Sequence, residues 1–505
     1  MASSVVTLLS AASVRFAQAP ALAWRSRSWT YGELSRLVQQ TAAGVAARGL
    51  RKGDRVALLM RNCPHYVALY YGVLAAGCVA VPLNVHERAA VLQRTIAHSG
   101  AKLVFADRAH PEWDAFEAGA RDTGAHVHSV QIDDESLSSA QAFGATLCEP
   151  GAAVPEFTAG EGDLASIIYT SGTTGRPKGV MLSHGNLAAN TESVIEYLGL
   201  SARDCVLTVL PFHFSYGNSV LHSHLGCGAR VVIEDTLAFP HLVLQRVVEE
   251  RATGFSGVPS TFALLLSRCK LADFDLSGLR YLTQAGGPMP TPLISRLRSE
   301  LPHVSLFIMY GQTEASARLT YLPPARLEEK LGSVGVAIPR VQIAVKRADG
   351  SNAEPGEVGE ICARGPNVML GYWQDAELSA TTLRDGWLWT GDLGYLDPQG
   401  FLFISGRSVE MIKVGAFRIS PQEVEEAIAS LADVEEVAVV GIPDELLGQA
   451  VKAVIVPRAG SVLEALHVKA HCRGALATYK IPKVVEFAAT LPRTASGKIQ
   501  RYKLC

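Results

Sequence analysis

Tyr169-Thr-Ser-Gly-Thr-Thr-Gly-Arg-Pro-Lys-Gly179 follows directly on the apolar run Ala165 to Ile168, so an extended segment feeds straight into a glycine-rich turn. Gly172, Gly175 and Gly179 let successive backbone N–H groups converge on one point, because glycine enters left-handed backbone without steric cost. The hydroxyls of Ser171, Thr173 and Thr174 add hydrogen-bond donors, and Lys178 adds positive charge. A loop of this make-up suits a polyphosphate. It is not a Walker loop, since G-x-x-x-x-G-K-[ST] cannot be laid on it: Gly175 and Gly179 bracket Lys178 with the wrong spacing.

Outward from this turn, helical patterns alternate with short β-branched runs. Upstream, the periodicity predicts helices over Tyr31 to Arg48, from Tyr66 and over Ala89 to His98, with strands at Arg55 to Met60, near Val79 and at Leu103 to Ala106. Downstream, strands are expected at Cys205 to Leu210 and Arg230 to Ile233. The fold class expected is α/β, with parallel sheets covered by helices. Residues 149–163 form a Pro/Gly-rich acidic connection. From about Gly335 the texture turns to short strands with Gly/Pro/Asp turns, a small β-rich unit. After Arg407 come a short strand, a helix over Pro421 to Leu431, strands Val434 to Val440 and Val451 to Pro457, and a final helix. The division expected is a large domain over 1–406 and a small, mobile α+β domain over 407–505, within the usual size range.

The chain has 505 residues, more than one hydrophobic core usually supports. A formal net charge of −2 supplies no strong field for nucleic acid or anionic lipid. The nine cysteines are scattered, with no Cys-x-x-Cys, and read as reduced thiols in a cytoplasmic protein. His222-Ser223-His224 is the one tempting ligand pair, but it lacks a nearby carboxylate or thiol. The N-terminus imitates a signal peptide without a basic leading region. Residues 62–86 carry no Asp, Glu, Lys or Arg, yet Gly72, Gly77 and Pro82 interrupt them. A buried helix and strand explain that stretch better than a membrane span.

Further motifs follow the turn in order: Met309-Tyr-Gly-Gln-Thr-Glu314, Thr390-Gly-Asp392, Ser405-Gly-Arg407 with Ile412-Lys413, and Pro492-Arg-Thr-Ala-Ser-Gly-Lys498. Together they resemble, over essentially the whole chain, the adenylate-forming superfamily of acyl-CoA synthetases, peptide-synthetase adenylation domains and beetle luciferases. The resemblance implies an AMP-forming acid–thiol ligase that uses ATP, Mg²⁺ and coenzyme A. A carboxylate attacking the α-phosphate must overcome repulsion between anions, which calls for a cation at the reacting atoms and a metal on the leaving pyrophosphate. By resemblance Lys498 is that cation, Thr313 contacts the α-phosphate and Glu314 holds Mg²⁺. Ser171, Gly172, Thr173, Thr174, Gly175 and Lys178 cradle the phosphates, Tyr310 stacks on adenine beside Gly286 and Gly287, Asp392 takes the ribose hydroxyls, and Arg407 reaches ribose or phosphate.

The acid pocket implied by the resemblance draws on Pro211 to Asn218, Gln284 to Met289, and Ala315-Ser316. Phe214 stands where amino-acid-activating relatives carry an aspartate for the α-ammonium group, so an α-amino acid is disfavoured. His213, Phe214 and Tyr216, with Asn218, Gln284 and Ser316, suit an aryl acid of benzoate or anthranilate type somewhat better than a long alkyl tail. A fatty-acyl-CoA ligase, an enzyme loading a carrier protein or an amine, and a non-catalytic nucleotide-binding regulator stand as alternatives. Two departures concern the thiol tunnel and hinge. Val409 replaces the usual Asp or Lys, and Ala416, after Gly415, replaces a usual glycine.

Overall fold

The computed structural model describes residues 2–130, 156–170, 178–407, 411–458, 460–492 and 499–505, and for 406, 407, 422 and 502 the backbone alone. Pro64–Ala75 explains the charge-free stretch: every residue from Pro64 to Leu74 is buried, so no side of this helix has room for a charge. It and the helices His184–Leu198 and Ser215–Cys227 lie in one core with two sheets. Leu58, Phe105 and Ile168 of one sheet and Leu22, Val206 and Met309 of the other join Tyr66, Tyr70, Leu187 and Leu221 of those helices.

The first sheet has seven strands in the order Gly371–Tyr372, Lys178–Ser183, Leu164–Thr170, Val79–Pro82, Arg55–Leu59, Leu103–Asp107, His126–Val130. The last five run parallel, but Lys178–Ser183 returns antiparallel to Leu164–Thr170. The parallel sheets expected carry antiparallel additions, here because the connection from Thr170 to Lys178 is too short for a crossover, which needs a dozen or more residues, roughly. The second sheet has nine strands. Its inner six, Ser305–Tyr310, Tyr281–Gln284, Gly254–Gly257, Cys205–Thr208, Arg230–Ile233 and Pro20–Trp24, are parallel, and its outer strands are antiparallel.

The β-rich unit is an antiparallel sheet in which Trp387–Leu396 pairs with Gly359–Arg364 and with Leu402–Arg407. A fourth sheet, centred on the hairpin Val434–Asp444 and Gly448–Pro457, is covered by the helices Pro421–Ala429 and Ala465–Ala475 and has its own core around Ile412, Val424, Ile428, Val439, Ile455 and Val468. Its strands not expected include Val484–Phe487, parallel to Gly448–Pro457. Among the described residues every cysteine is a free thiol, and no helix is long and apolar enough to cross a membrane.

Candidate active site

A cleft opens where the parallel strands end. Its walls are the segments that follow those ends: Leu83 and Asn84 after Val79–Pro82, Leu210 to Gly217 after Cys205–Thr208, Val258 after Gly254–Gly257, Ala285 and Gly286 after Tyr281–Gln284, and Gly311 to Thr313 after Ser305–Tyr310. Ligands of open α/β sheets bind in this position, outside the carboxyl ends of the strands. Ala416, Phe417, Arg418, Glu423, Tyr479 and Lys480, from the fourth sheet and its helices, close the remaining side.

The segment 210–216 is held from behind. Asn62 donates through Nδ2 to the Leu210 carbonyl (2.7 Å) and accepts from the Phe212 N–H (2.8 Å), and the Tyr66 hydroxyl donates to the Phe212 carbonyl (3.1 Å). The His213 and Phe214 rings meet at a 55° tilt with centroids 4.3 Å apart, and both line the cleft with Tyr216. Burial pulls the His213 pKa down to about 3, so it faces the cleft as a neutral ring. Tyr216 anchors its hydroxyl on the Thr283 carbonyl at 2.9 Å and offers the cleft its ring. Asn218 and Ser316 line a smaller adjoining cavity instead. Gln284 is fully buried and donates to the Gly287 carbonyl at 2.8 Å, lining neither space.

The Thr313 hydroxyl lies 3.1 Å from that of Ser215, joining the strand end to the start of helix Ser215–Cys227. That helix has no side-chain cap, which leaves its first N–H groups available at the cleft. Glu314 accepts from the Tyr372 hydroxyl at 2.9 Å through Oε1, and its second oxygen has no protein partner among the described residues. Burial, with Glu314 beside it, raises the Tyr372 pKa and keeps it a donor. One carboxylate with a free oxygen fits Mg²⁺, which is usually held by one or two carboxylates together with substrate phosphates and water. No group of three or more His, Cys, Asp or Glu able to hold a metal occurs among the described residues.

Tyr310 donates to Asp392 Oδ2 at 2.7 Å, bringing two of the expected nucleotide residues into one contact. Gly286 lines the cleft, Gly287 sits beside it, and Lys178 has its Nζ 5.6 Å from the Tyr372 ring. The Arg407 backbone pairs with Asp392. Ser171, Gly172, Thr173, Thr174, Gly175, Val409 and Lys498 lie outside the described residues. Gly415 is left-handed (φ 59), and a side chain there would meet the Ser260 hydroxyl at 3.3 Å, so the loop that carries Ala416 to the cleft fits glycine on both counts. His222 and His224 do not converge: His222 bonds Tyr71 at 2.7 Å and His224 bonds Tyr281 at 2.5 Å.

Sequence reasoning missed the contacts that close the cleft. Glu87 accepts from the Tyr479 hydroxyl (2.5 Å) and Lys480 (2.9 Å), Lys480 also donates to Glu423 (2.8 Å), and the Tyr479 and Phe417 rings stack at 3.8 Å. No local pattern links Glu87 to residues nearly 400 positions away. Arg318 was missed too, although it is the only charged residue between Glu314 and Arg326.

The model of the AMP-binding enzyme family matches residues 9–373, and that of the AMP-binding enzyme C-terminal domain matches 423–498. Similar proteins include a feruloyl-CoA synthase of Amycolatopsis sp (37% identical, over 93% of this chain and 92% of the relative) and an indoleacetate–CoA ligase of Aromatoleum aromaticum (36%, 95% and 93%). A long-chain-fatty-acid–CoA ligase of Bacillus subtilis is 31% identical over 99% and 93%. Among solved structures, a double mutant of o-succinylbenzoate CoA synthetase from Bacillus subtilis, bound with a product analogue, superposes with a TM-score of 0.87 (30% identity, 98% of each chain). The same synthetase with its acyl-adenylate intermediate gives 0.72 (30%, 98% and 97%). The amide bond synthetase McbA from Marinactinospora thermotolerans gives 0.87 (29%, 99% of each chain).

Proposed function

The chain belongs to the AMP-binding enzyme family as an AMP-forming acid–CoA ligase, and we propose that its acid is a compact aryl acid activated in the cleft described above. The observation that carries this reading is the aromatic wall: His213, Phe214 and Tyr216 line the cleft, and Phe214 brings no carboxylate to neutralise an α-ammonium group. The names of the feruloyl and indoleacetate relatives point the same way. In this reading Thr313 and the open helix start at Ser215 orient the α-phosphate for attack by the acid. Glu314, fixed by Tyr372, holds Mg²⁺, which when bound neutralises the leaving pyrophosphate. Asp392, fixed by Tyr310, takes the ribose, Lys178 and the 171–175 turn take the phosphates, and Lys498 bridges the two reacting anions.

The CoA thiol then attacks the carbonyl carbon of the acyl-adenylate, and AMP leaves as the C–S bond replaces the acyl C–O bond. We assign the thiol side to the wall formed by Gly415, Ala416 and Phe417, and the boundary of the moving unit to 406/407 with Val409 in the hinge. Pyrophosphate release measured over a panel of aryl, long-chain and α-amino acids tests the acid class. The highest kcat/KM is expected for a compact aryl acid, with neighbours partly active, because apolar pockets discriminate by only about 1–3 kcal/mol per methylene. A long-chain or zwitterionic best substrate overturns it. A second reading, transfer to a carrier pantetheine or an amine, is favoured by the likeness to the amide bond synthetase.

A further inference from the structure

Arg318 is 2% exposed, yet it lines the cleft. Two left-handed residues, Ser316 (φ 52) and Ala317 (φ 91), reverse the chain after Thr313–Ala315, and Leu319 N–H then donates to the Tyr310 carbonyl at 2.9 Å. Non-glycine residues in this region are strained, and a pair of them persists only where the surroundings hold the turn. The turn returns Arg318 to the side of the cleft formed by Tyr216. Its guanidinium lies 4.2 Å from the Tyr216 centroid and donates to the Ala317 carbonyl at 3.2 Å. The Tyr197 hydroxyl is its other polar neighbour. Its Nε has no partner, and no carboxylate pairs with it among the described residues.

A guanidinium taken out of water and given only a ring face, a carbonyl and a phenol is short of an anion, because burial of a charge is costly unless it is paired. The cleft does not supply one. Its two lining carboxylates, Glu87 and Glu423, are both engaged by Lys480. Tyr216, pinned by Thr283, keeps the guanidinium plane from swinging away, and a planar fork of N–H donors matches an oxyanion in two-point fashion.

We propose that Arg318 binds a second carboxylate of the acid substrate, remote from the one that is activated, so that the enzyme selects dicarboxylic over monocarboxylic acids of the same frame. This rests on the ligase reading above. An oxyanion at Arg318 has two sources, the acid and a phosphate of the nucleotide. The acid is the source here because Arg318 packs on Tyr216, within the acid segment, while the contacts assigned to the nucleotide lie on Glu314, Tyr310 and Asp392.

The test compares acid pairs in AMP formation by the full chain with ATP, Mg²⁺ and CoA: benzoate with terephthalate, phenylacetate with 4-carboxyphenylacetate, hexanoate with adipate. Wild type is expected to favour the dicarboxylate in kcat/KM by at least about tenfold in the pair whose length fits. Arg318→Met, which keeps bulk and removes charge, is expected to bring that ratio to one or below while KM for ATP stays within about threefold. Preference for the monocarboxylate in every pair by wild type overturns the proposal whether or not the variant folds. An unchanged ratio with a raised KM for ATP in Arg318→Met gives the guanidinium to the nucleotide phosphates and overturns it as well. AMP formation from monocarboxylates alone leaves the ligase reading standing, whereas no AMP from any acid removes both.

Discussion

His184, His213, His222 and His224 are buried, and burial pulls their pKa values down to about 4, 3, 3 and 4. A histidine freed by unfolding takes up a proton near pH 6.5, while these do not until much lower pH. The unfolded chain therefore binds more protons between pH 6.5 and 4. The stabilisation is fully present above about pH 6.5 and is lost as pH falls toward the folded-state values. Each such histidine steepens the loss by about 1.4 kcal/mol per pH unit. Denaturant unfolding at a series of pH values is expected to show this decline, and His222→Gln to remove about one proton's worth of slope. A slope unchanged by that substitution contradicts the burial argument. The sequence marked His222 and His224 as neighbours without a ligand partner, and their separate bonds to Tyr71 and Tyr281 show why adjacency meant little: residues two apart on a helix face different ways.

Elements carry the contact that sets the two units against each other. Glu87 lies just before the helix Ala89–Ser99, and Tyr479 and Lys480 form a short turn after the helix Ala465–Ala475. Lys480 is almost fully buried between Glu87 and Glu423; although burial alone lowers its pKa, the two carboxylates outweigh it and keep it charged. Glu87→Ala removes two charge-assisted hydrogen bonds, each worth about 1.5–3 kcal/mol. Thioester formation from preformed acyl-adenylate is expected to slow by about tenfold or more, with adenylation changed far less. Equal loss in both steps would mean that the cluster supports folding in general. The strands and helices themselves were largely legible, because a period of two or of 3.6 survives in the local sequence. Val484–Phe487 was not, since four residues with a glutamate among them show no clear alternation, and the clasp was not, since it joins distant segments.

At the scale of the whole molecule, the fourth sheet presents Ala416 and Phe417 to the cleft, and the chain superposes better on a relative holding a product analogue than on the same relative holding its acyl-adenylate. In the proposed reading this orientation belongs to the thiol-transfer step. Motif order made the family readable from sequence, because its motifs sit in contiguous runs. Of the residues named for the acid, Phe214 and Tyr216 line the cleft, whereas Gln284 turns into the protein; Arg318 reaches the cleft from a strained turn that no motif announces. The account holds that one cleft runs two half-reactions by exchanging Lys498 for the Ala416 loop. The direct test is Lys498→Ala, assayed once with acid and ATP and once with chemically prepared aryl-adenylate and CoA. The account predicts that the activation barrier to adenylation rises by several kcal/mol, roughly, while thioester forms from the adenylate at close to the wild-type rate. Adenylation that survives, or thioester formation lost together with it, would contradict it.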